Sequence, residues 1–310
     1  MSSGATWETR LERAEPAQAC PVCHAARIER HSRIGEWPLA HCPQCDLVFA
    51  EAELQDQQLD LWYGKNYFDG SPVGYQDYIG EESAHRRQAR RYVRRLRRWR
   101  KTPGRLLDVG CAAGFFLDEA RSAGWRVQGC EVSTFAANHA TTSLGLPVVV
   151  ESFLSADLPE GSWDAITLFN VFEHLAQPRA VVAKLHRLLA PGGIVILETW
   201  NVRSWTARLF GTSWHQYQPD YVPYYYSPPT LRVLFPEPPW RLHSIQIIVK
   251  WISLKRGLDI LERLWSGFHK PALVLGRLAG RLELPYFADD LMMVVVGTQA
   301  TPDEMTRPYA

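Results

Sequence analysis

The chain of 310 residues has no apolar run long enough to cross a bilayer, and its opening stretch, MSSGATWETRLERAEPAQ, lacks the hydrophobic segment of an export signal. A membrane-spanning or secreted protein is not expected, and a cytoplasmic location is. An excess of one charge is also missing. Lysine and arginine number 34 against 33 aspartates and glutamates, for a formal net charge of +1, so no global field draws the chain toward nucleic acid or an anionic membrane. Internal repeats and low-complexity stretches are absent, which excludes a solenoid or a linker-like chain. What is present is hydrophobic matter: 46% of the residues, enough for a buried core and too much for disorder.

Cysteine is scarce, with six in all, but four of them form Cys20-Pro-Val-Cys23 and Cys42-Pro-Gln-Cys45. Each pair can present two thiolates to one tetrahedral ion, and zinc is the natural occupant. Four sulfur ligands leave no open coordination position, so the expected role is structural. Disulfides are the competing reading, disfavoured in a reducing compartment. His24 and His41 flank the cluster and could replace a cysteine, although neighbours of a ligand more often support it from outside. Cys111 and Cys130 read as small buried residues.

A third glycine is missing where a dinucleotide fold would need one. The run RLLDVGCAAGFF, residues 105–116, closes an apolar strand on Asp108-Val-Gly110-Cys111-Ala112-Ala-Gly114, and Phe115 occupies the position where a pyrophosphate would require glycine. The next apolar run, WRVQGCEV, ends on the isolated acid Glu131 followed by Val132. An acid at the tip of the adjacent strand is placed to accept both hydroxyls of a ribose. The spacing therefore points to a nucleoside ligand without a phosphate cradle.

These motifs resemble motifs I and II of the class I S-adenosylmethionine-dependent methyltransferases. Gly161-Ser-Trp-Asp-Ala-Ile-Thr-Leu-Phe-Asn170 resembles that family's fourth strand, Val171-Phe-Glu173-His174-Leu the turn after it, and Leu189 to Glu198 the entry to the fifth strand. Ala112 departs from the family, which most often has glycine there; a methyl group is the smallest possible change. The resemblance implies a Rossmann-like, doubly wound α/β fold with a mostly parallel seven-stranded sheet beside a small N-terminal zinc-binding module. It implies S-adenosylmethionine as cofactor, bound by Asp108, Gly110, Cys111, Ala112, Gly114, Glu131, Val132 and Asn170, and structural Zn2+ on Cys20, Cys23, Cys42 and Cys45. A doubly wound domain whose glycines serve only helix packing is the bland alternative.

The expected organisation is a flexible tail over 1–19, a zinc ribbon over 20–50 too small to fold without its metal, an aromatic segment and a basic helix over 51–101, the catalytic domain over 102–300 and a tail over 301–310. Residues 61–78 resemble a Tyr-x3-Tyr-Phe stretch found in some of these enzymes; its aromatics either cover the cofactor mouth or pack the two modules together. Residues 82–101 form a helix with Ala89, Tyr92, Val93, Leu96 and Trp99 on one face and arginines on the other. Its basic face reads as solvated surface, with RNA binding as the rival. The last strands are expected over His243–Ser253 and Asp290–Gly297, and the intervening Gly257–Leu284 is expected to cap the substrate pocket or to lie on a membrane surface.

Methyl transfer needs a base only for the acceptor's proton, and histidine is the best tuned side chain near neutral pH. Relatives of this type carry a W…P-x-H stretch after the fifth strand. Here Tyr221 stands in the matching position and His215 lies upstream, so His215 and Tyr221 are the first candidates and His174 follows. Three functions compete. One is methylation of an oxygen or carbon of a small molecule, a sugar or a natural-product intermediate. The second is RNA methylation, because a zinc ribbon with an arginine helix is similar to a ribosomal RNA-modifying group. The third is a non-catalytic scaffold that binds a protein partner through the zinc ribbon. Neutral charge and the aromatic loop favour the first, so a nucleic-acid partner is not expected.

Overall fold

Short apolar runs, three of them ended by Gly110, Asn170 and Asn201, become the strands of one sheet, as buried parallel strands should. A computed structural model describes residues 12–13, 17–53, 63–70, 75, 77–253, 283–286 and 289–298. The sheet contains β1 (Arg105–Val109), β2 (Arg126–Cys130), β3 (Val148–Val149), β4 (Trp163–Phe169), β5 (Leu189–Trp200), β6 (Trp240–Ile247) and β7 (Leu291–Thr298). Their order is β6-β7-β5-β4-β1-β2-β3. Strand β7 pairs antiparallel with both β5 and β6, while the ladders among β1 to β5 are parallel. This is a Rossmann-like α/β sheet of seven strands, as expected.

Alternation along the strands decides which face each residue serves. Leu107, Val109, Ile166, Leu168, Val195 and Leu197 bury on one face against Val181, Leu185 and Leu231. These come from the helices Pro178–Leu188 and Pro228–Leu234. Leu106, Ala165, Ile194 and Ile196 point the other way, onto Tyr92, Val93, Leu96 and Phe116. The helices there are Glu82–Trp99 and Phe115–Ser122. Each such aliphatic side chain contributes about 1.5–3 kcal/mol on full burial. The arginine face of the 82–99 helix is partly spent on the core. Arg86 pairs with Asp118 at 2.8 Å, Arg90 with Glu119 at 2.9 Å, and Arg100 with Asp164 at 2.5 Å.

One expectation needs correction. The penultimate strand is not one element over 243–253: it starts at Trp240 and leaves the sheet after Ile247, and Lys250–Ser253 pairs instead with Glu283–Tyr286 in a separate two-stranded ladder. The cysteine segment, too small for a core of its own, packs on the rest of the chain. Its strands Glu29–Ile34, Trp37–His41 and Val48–Ala50 gain a fourth partner from Tyr224–Tyr225, far along the chain. Cys20, Cys42, Cys45 and Leu47 also bury in the same apolar cluster as β1, β4 and β5. A strand edge and an apolar surface too large for so small a segment to cover are covered by the catalytic domain instead. Leu61, Trp62, Gly74, residues 257–282 and both proposed tails, apart from parts of the first, lie outside the described residues.

Candidate active site

Strands β1, β2, β4 and β5 end on one edge of the sheet, and the chain turns there into a cavity of about 390 Å3. At the end of β1 the backbone reverses sharply, with φ +69 at Gly110 and +47 at Ala112. A Cβ on Gly110 would lie 2.4 Å from the Val171 side chain, so only glycine lets the β1 turn pass the β4 turn this closely. Glu131, 5% exposed, closes β2. Its Oε2 accepts from the Ala112 backbone N at 2.7 Å, and its Oε1 from the Ser133 N at 2.9 Å. Two amides thus fix the carboxylate and leave lone pairs for a ligand hydroxyl. Burial holds the Glu131 carboxyl above its usual range, opposed by those amides. Asp108 accepts from Thr167 Oγ1 at 2.6 Å, and burial pushes its carboxyl up to about 7.

The rest of the wall comes from elsewhere in the chain. Tyr63, Tyr67, Phe68, Tyr75 and Tyr78 line the cavity together with Phe115. Tyr78 stacks on His85 at 3.9 Å between ring centroids and faces Phe115 at 5.9 Å. An aromatic stack therefore roofs the helix N-terminus where a dinucleotide's phosphates would rest. The acids on the wall are Glu81, Asp108, Glu131 and Glu151, and no lysine or arginine is among the described residues that line it. Such a wall suits a cationic ligand and repels a phosphate.

On the opposite side stand His174, Trp200, Gln216, Gln218 and Val222. His174 Nδ1 lies 2.9 Å from the Tyr221 carbonyl oxygen and 2.7 Å from the Tyr63 hydroxyl. Burial pushes its imidazole down to about 4, so it is neutral at physiological pH.

A profile of the family described as "Methyltransferase domain" matches residues 82–238, half of the chain. The chain belongs to the methyltransferase domain family. Ubiquinone biosynthesis O-methyltransferase of Paraburkholderia xenovorans is 31% identical over 117 residues, which are 35% of this chain and 50% of that protein. The namesake of Nitrosococcus oceani is 35% identical over 120 residues, 36% of this chain and 50% of that protein. The chain thus spans about half the length of the curated relatives it matches. The crystal structure of MccD protein superposes with a TM-score of 0.50 at 15% identity, over 69% of this chain and 98% of that one, a likeness of fold.

Within this methyltransferase domain, Asp108, Gly110, Cys111, Ala112, Glu131, Val132 and Asn170 all line the cavity. Gly114 does not. It stands behind the turn at φ +83, where a Cβ would lie 2.6 Å from Leu146 and 2.9 Å from Ala140. His215 and the Tyr221 side chain are also off the wall: the His215 ring sits 6.3 Å from the wall residue Trp200, and Tyr221 reaches the site through its carbonyl.

Sequence reasoning missed Tyr92 and Glu198. Tyr92 stands on the apolar face of its helix, yet its hydroxyl donates to both Glu198 oxygens, at 2.7 and 2.8 Å. Glu198 is a lone acid inside an otherwise apolar strand.

The sulfur atoms of Cys20, Cys23, Cys42 and Cys45 all lie within 4.8 Å of one another, and all six cysteines are free thiols. The cluster contains neither His24 nor His41. His41 bonds Asp46 at 3.1 Å instead. Arg203, on the loop after β5, grips Asp46 with Nε at 2.5 Å and Nη2 at 2.7 Å. Thr230 Oγ1 donates to the Cys45 carbonyl at 2.9 Å. The Cys45–Asp46 turn is thereby tied to Arg203 and Thr230, which flank in sequence the segment that supplies Gln216, Gln218 and Val222.

Proposed function

We propose that this protein transfers the methyl group of S-adenosylmethionine to an oxygen or carbon atom of a small molecule. The observation that carries the reading is the amide-fixed Glu131 carboxylate beside the Gly110 turn, in a cavity walled by acids and aromatics. Asp108, Gly110, Cys111, Ala112, Glu131, Val132 and Asn170 would hold the cofactor, with Gly114 shaping the turn from behind. When bound, the cofactor supplies the electrophilic methyl group, and the chain has to orient the acceptor, exclude water and take a proton. An acid-lined, aromatic-roofed cavity favours a small acceptor over RNA, whose phosphates it would repel. Tyr63, Tyr67, Phe68, Tyr75 and Tyr78 serve as the cover of this cavity. The names of the ubiquinone-pathway relatives make a phenolic hydroxyl a reasonable acceptor to test.

For the acceptor's proton we favour His174 over His215 and Tyr221. Donation from Nδ1–H to the Tyr221 carbonyl leaves Nε2 as the basic nitrogen, an assignment resting on the hydrogen-bond geometry. Zinc on Cys20, Cys23, Cys42 and Cys45 is the natural filling of a four-thiolate cluster and suits a cytoplasmic protein, where thiols stay reduced. Its part would be to hold the Cys45–Asp46 turn that is tied to Arg203 and Thr230.

Titration calorimetry with S-adenosylmethionine, followed by a radiolabelled methyl-transfer screen across sugars, phenols and RNA, tests the reading. Absence of cofactor binding would overturn it; transfer to RNA alone would replace its acceptor. Elemental analysis of protein purified without chelator should give close to one zinc per chain. A metal-free result would remove the zinc assignment.

A further inference from the structure

Glu198, two residues before the end of β5, is a fully buried carboxylate, and the groups that hold it are neutral donors. Tyr92 Oη donates to both of its oxygens, and Asn170 Nδ2 donates to Oε1 at 2.8 Å. Asn170 takes a left-handed backbone at φ +55, and its own N–H donates to the Glu198 carbonyl at 3.0 Å. Side chain and main chain of Asn170 are therefore fixed by one residue. With the amide nitrogen committed, Asn170 Oδ1 is buried without a hydrogen-bond partner among the described residues, on a residue that lines the cavity. An acceptor desolvated and left empty is destabilising unless a ligand donor fills it. A carboxylate accepts and cannot donate, so Glu198 also dictates which end of the Asn170 amide is left over.

We propose that Glu198, steadied by Tyr92, is a positioning residue that locks the Asn170 amide with its oxygen free for the ammonium group of an amino-acid-bearing ligand. This rests on the cofactor reading above and extends it to the end of the ligand remote from the ribose. Glu198→Gln preserves shape and removes the lock. The glutamine amide can accept from Asn170 Nδ2 or donate to Asn170 Oδ1, so the asparagine is no longer held with its oxygen free.

The test is calorimetric binding of two ligands that differ in the amino-acid portion: S-adenosylhomocysteine, which has it, and 5′-methylthioadenosine, which lacks it. Glu198→Gln and Asn170→Gly are each expected to weaken S-adenosylhomocysteine about tenfold or more, the scale of a charge-assisted hydrogen bond. Affinity for 5′-methylthioadenosine should stay within about twofold, since Glu131 is untouched. Because both variants remove one interaction, the double variant should be no weaker than the weaker single. Unchanged S-adenosylhomocysteine affinity, an equal loss for both ligands or losses that multiply in the double variant would overturn the proposal. Should Glu198→Gln not fold, Asn170→Gly carries the same comparison, with Tyr92→Phe expected to shift only the amino-acid-bearing ligand. Wild-type protein that binds neither ligand would overturn the cofactor reading, and this proposal with it.

Discussion

Part of the cavity wall is one stretch of chain, Asp108 to Val132, running through β1, its turn and β2. The part proposed to meet the acceptor draws Tyr63, His174, Trp200, Gln216, Gln218 and Val222 from separate regions. Tyr63 and His174 meet across 111 residues of sequence and Asp46 and Arg203 across 157. The first part is held by backbone amides and a glycine turn, which any chain of this pattern forms locally. The second is held by side chains that meet only after folding.

The comparison predicts that substitutions in the two parts separate binding from turnover. His174→Ala should cost the largest effect, about a hundredfold to ten-thousandfold in rate, with cofactor affinity unchanged. His215→Ala and Tyr221→Phe should stay near wild type, since neither side chain reaches the wall. Single-turnover rates on the true acceptor check this, and a full loss in His215→Ala would move the base to the loop.

The next effect is one of stability in the first part. The Asp108 carboxyl is raised from 3.8 to about 7 in the folded protein. The folded state therefore binds more protons than the unfolded one across that window, and stability falls as pH rises through it. Asp108→Asn lacks this slope. Its advantage should be near zero at pH 4 and grow to on the order of 4 kcal/mol by pH 8, read by urea unfolding of the ligand-free protein. A constant difference across pH would contradict it.

Glu131→Ala comes third. It should weaken cofactor binding by about 1.5–3 kcal/mol, the scale of a hydrogen bond to a charged group; an unchanged dissociation constant would remove Glu131 from the ribose. The smallest effect belongs to Ala112, whose φ of +47 is strained for any residue with a Cβ. Ala112→Gly should raise stability by about 0.5–1 kcal/mol, and a lower melting temperature would show that the methyl group packs usefully.

Much of this molecule was legible in the sequence because its causes are local. The apolar runs at 105–109, 126–130 and 163–169 announce buried parallel strands, Asp108 to Gly114 announces the turn, and the paired cysteines announce a four-sulfur cluster. Each signal lies within a few residues of its consequence. The acceptor side was less legible for the same physical reason. The direction of a loop side chain is set by what packs on it, and in this loop it is the Tyr221 carbonyl that lies 2.9 Å from His174 Nδ1. Tyr92 and Glu198 looked like an apolar-face residue and a lone acid in an apolar strand until the helix was laid on the sheet. The sequence by itself determined the sheet, the nucleoside turn and the cysteine cluster, since periodicity and short-range spacing suffice for those. Only the tertiary structure decided that the cysteine segment shares the catalytic core and that His174 faces the cavity, because pairing across more than a hundred residues leaves no mark in local pattern.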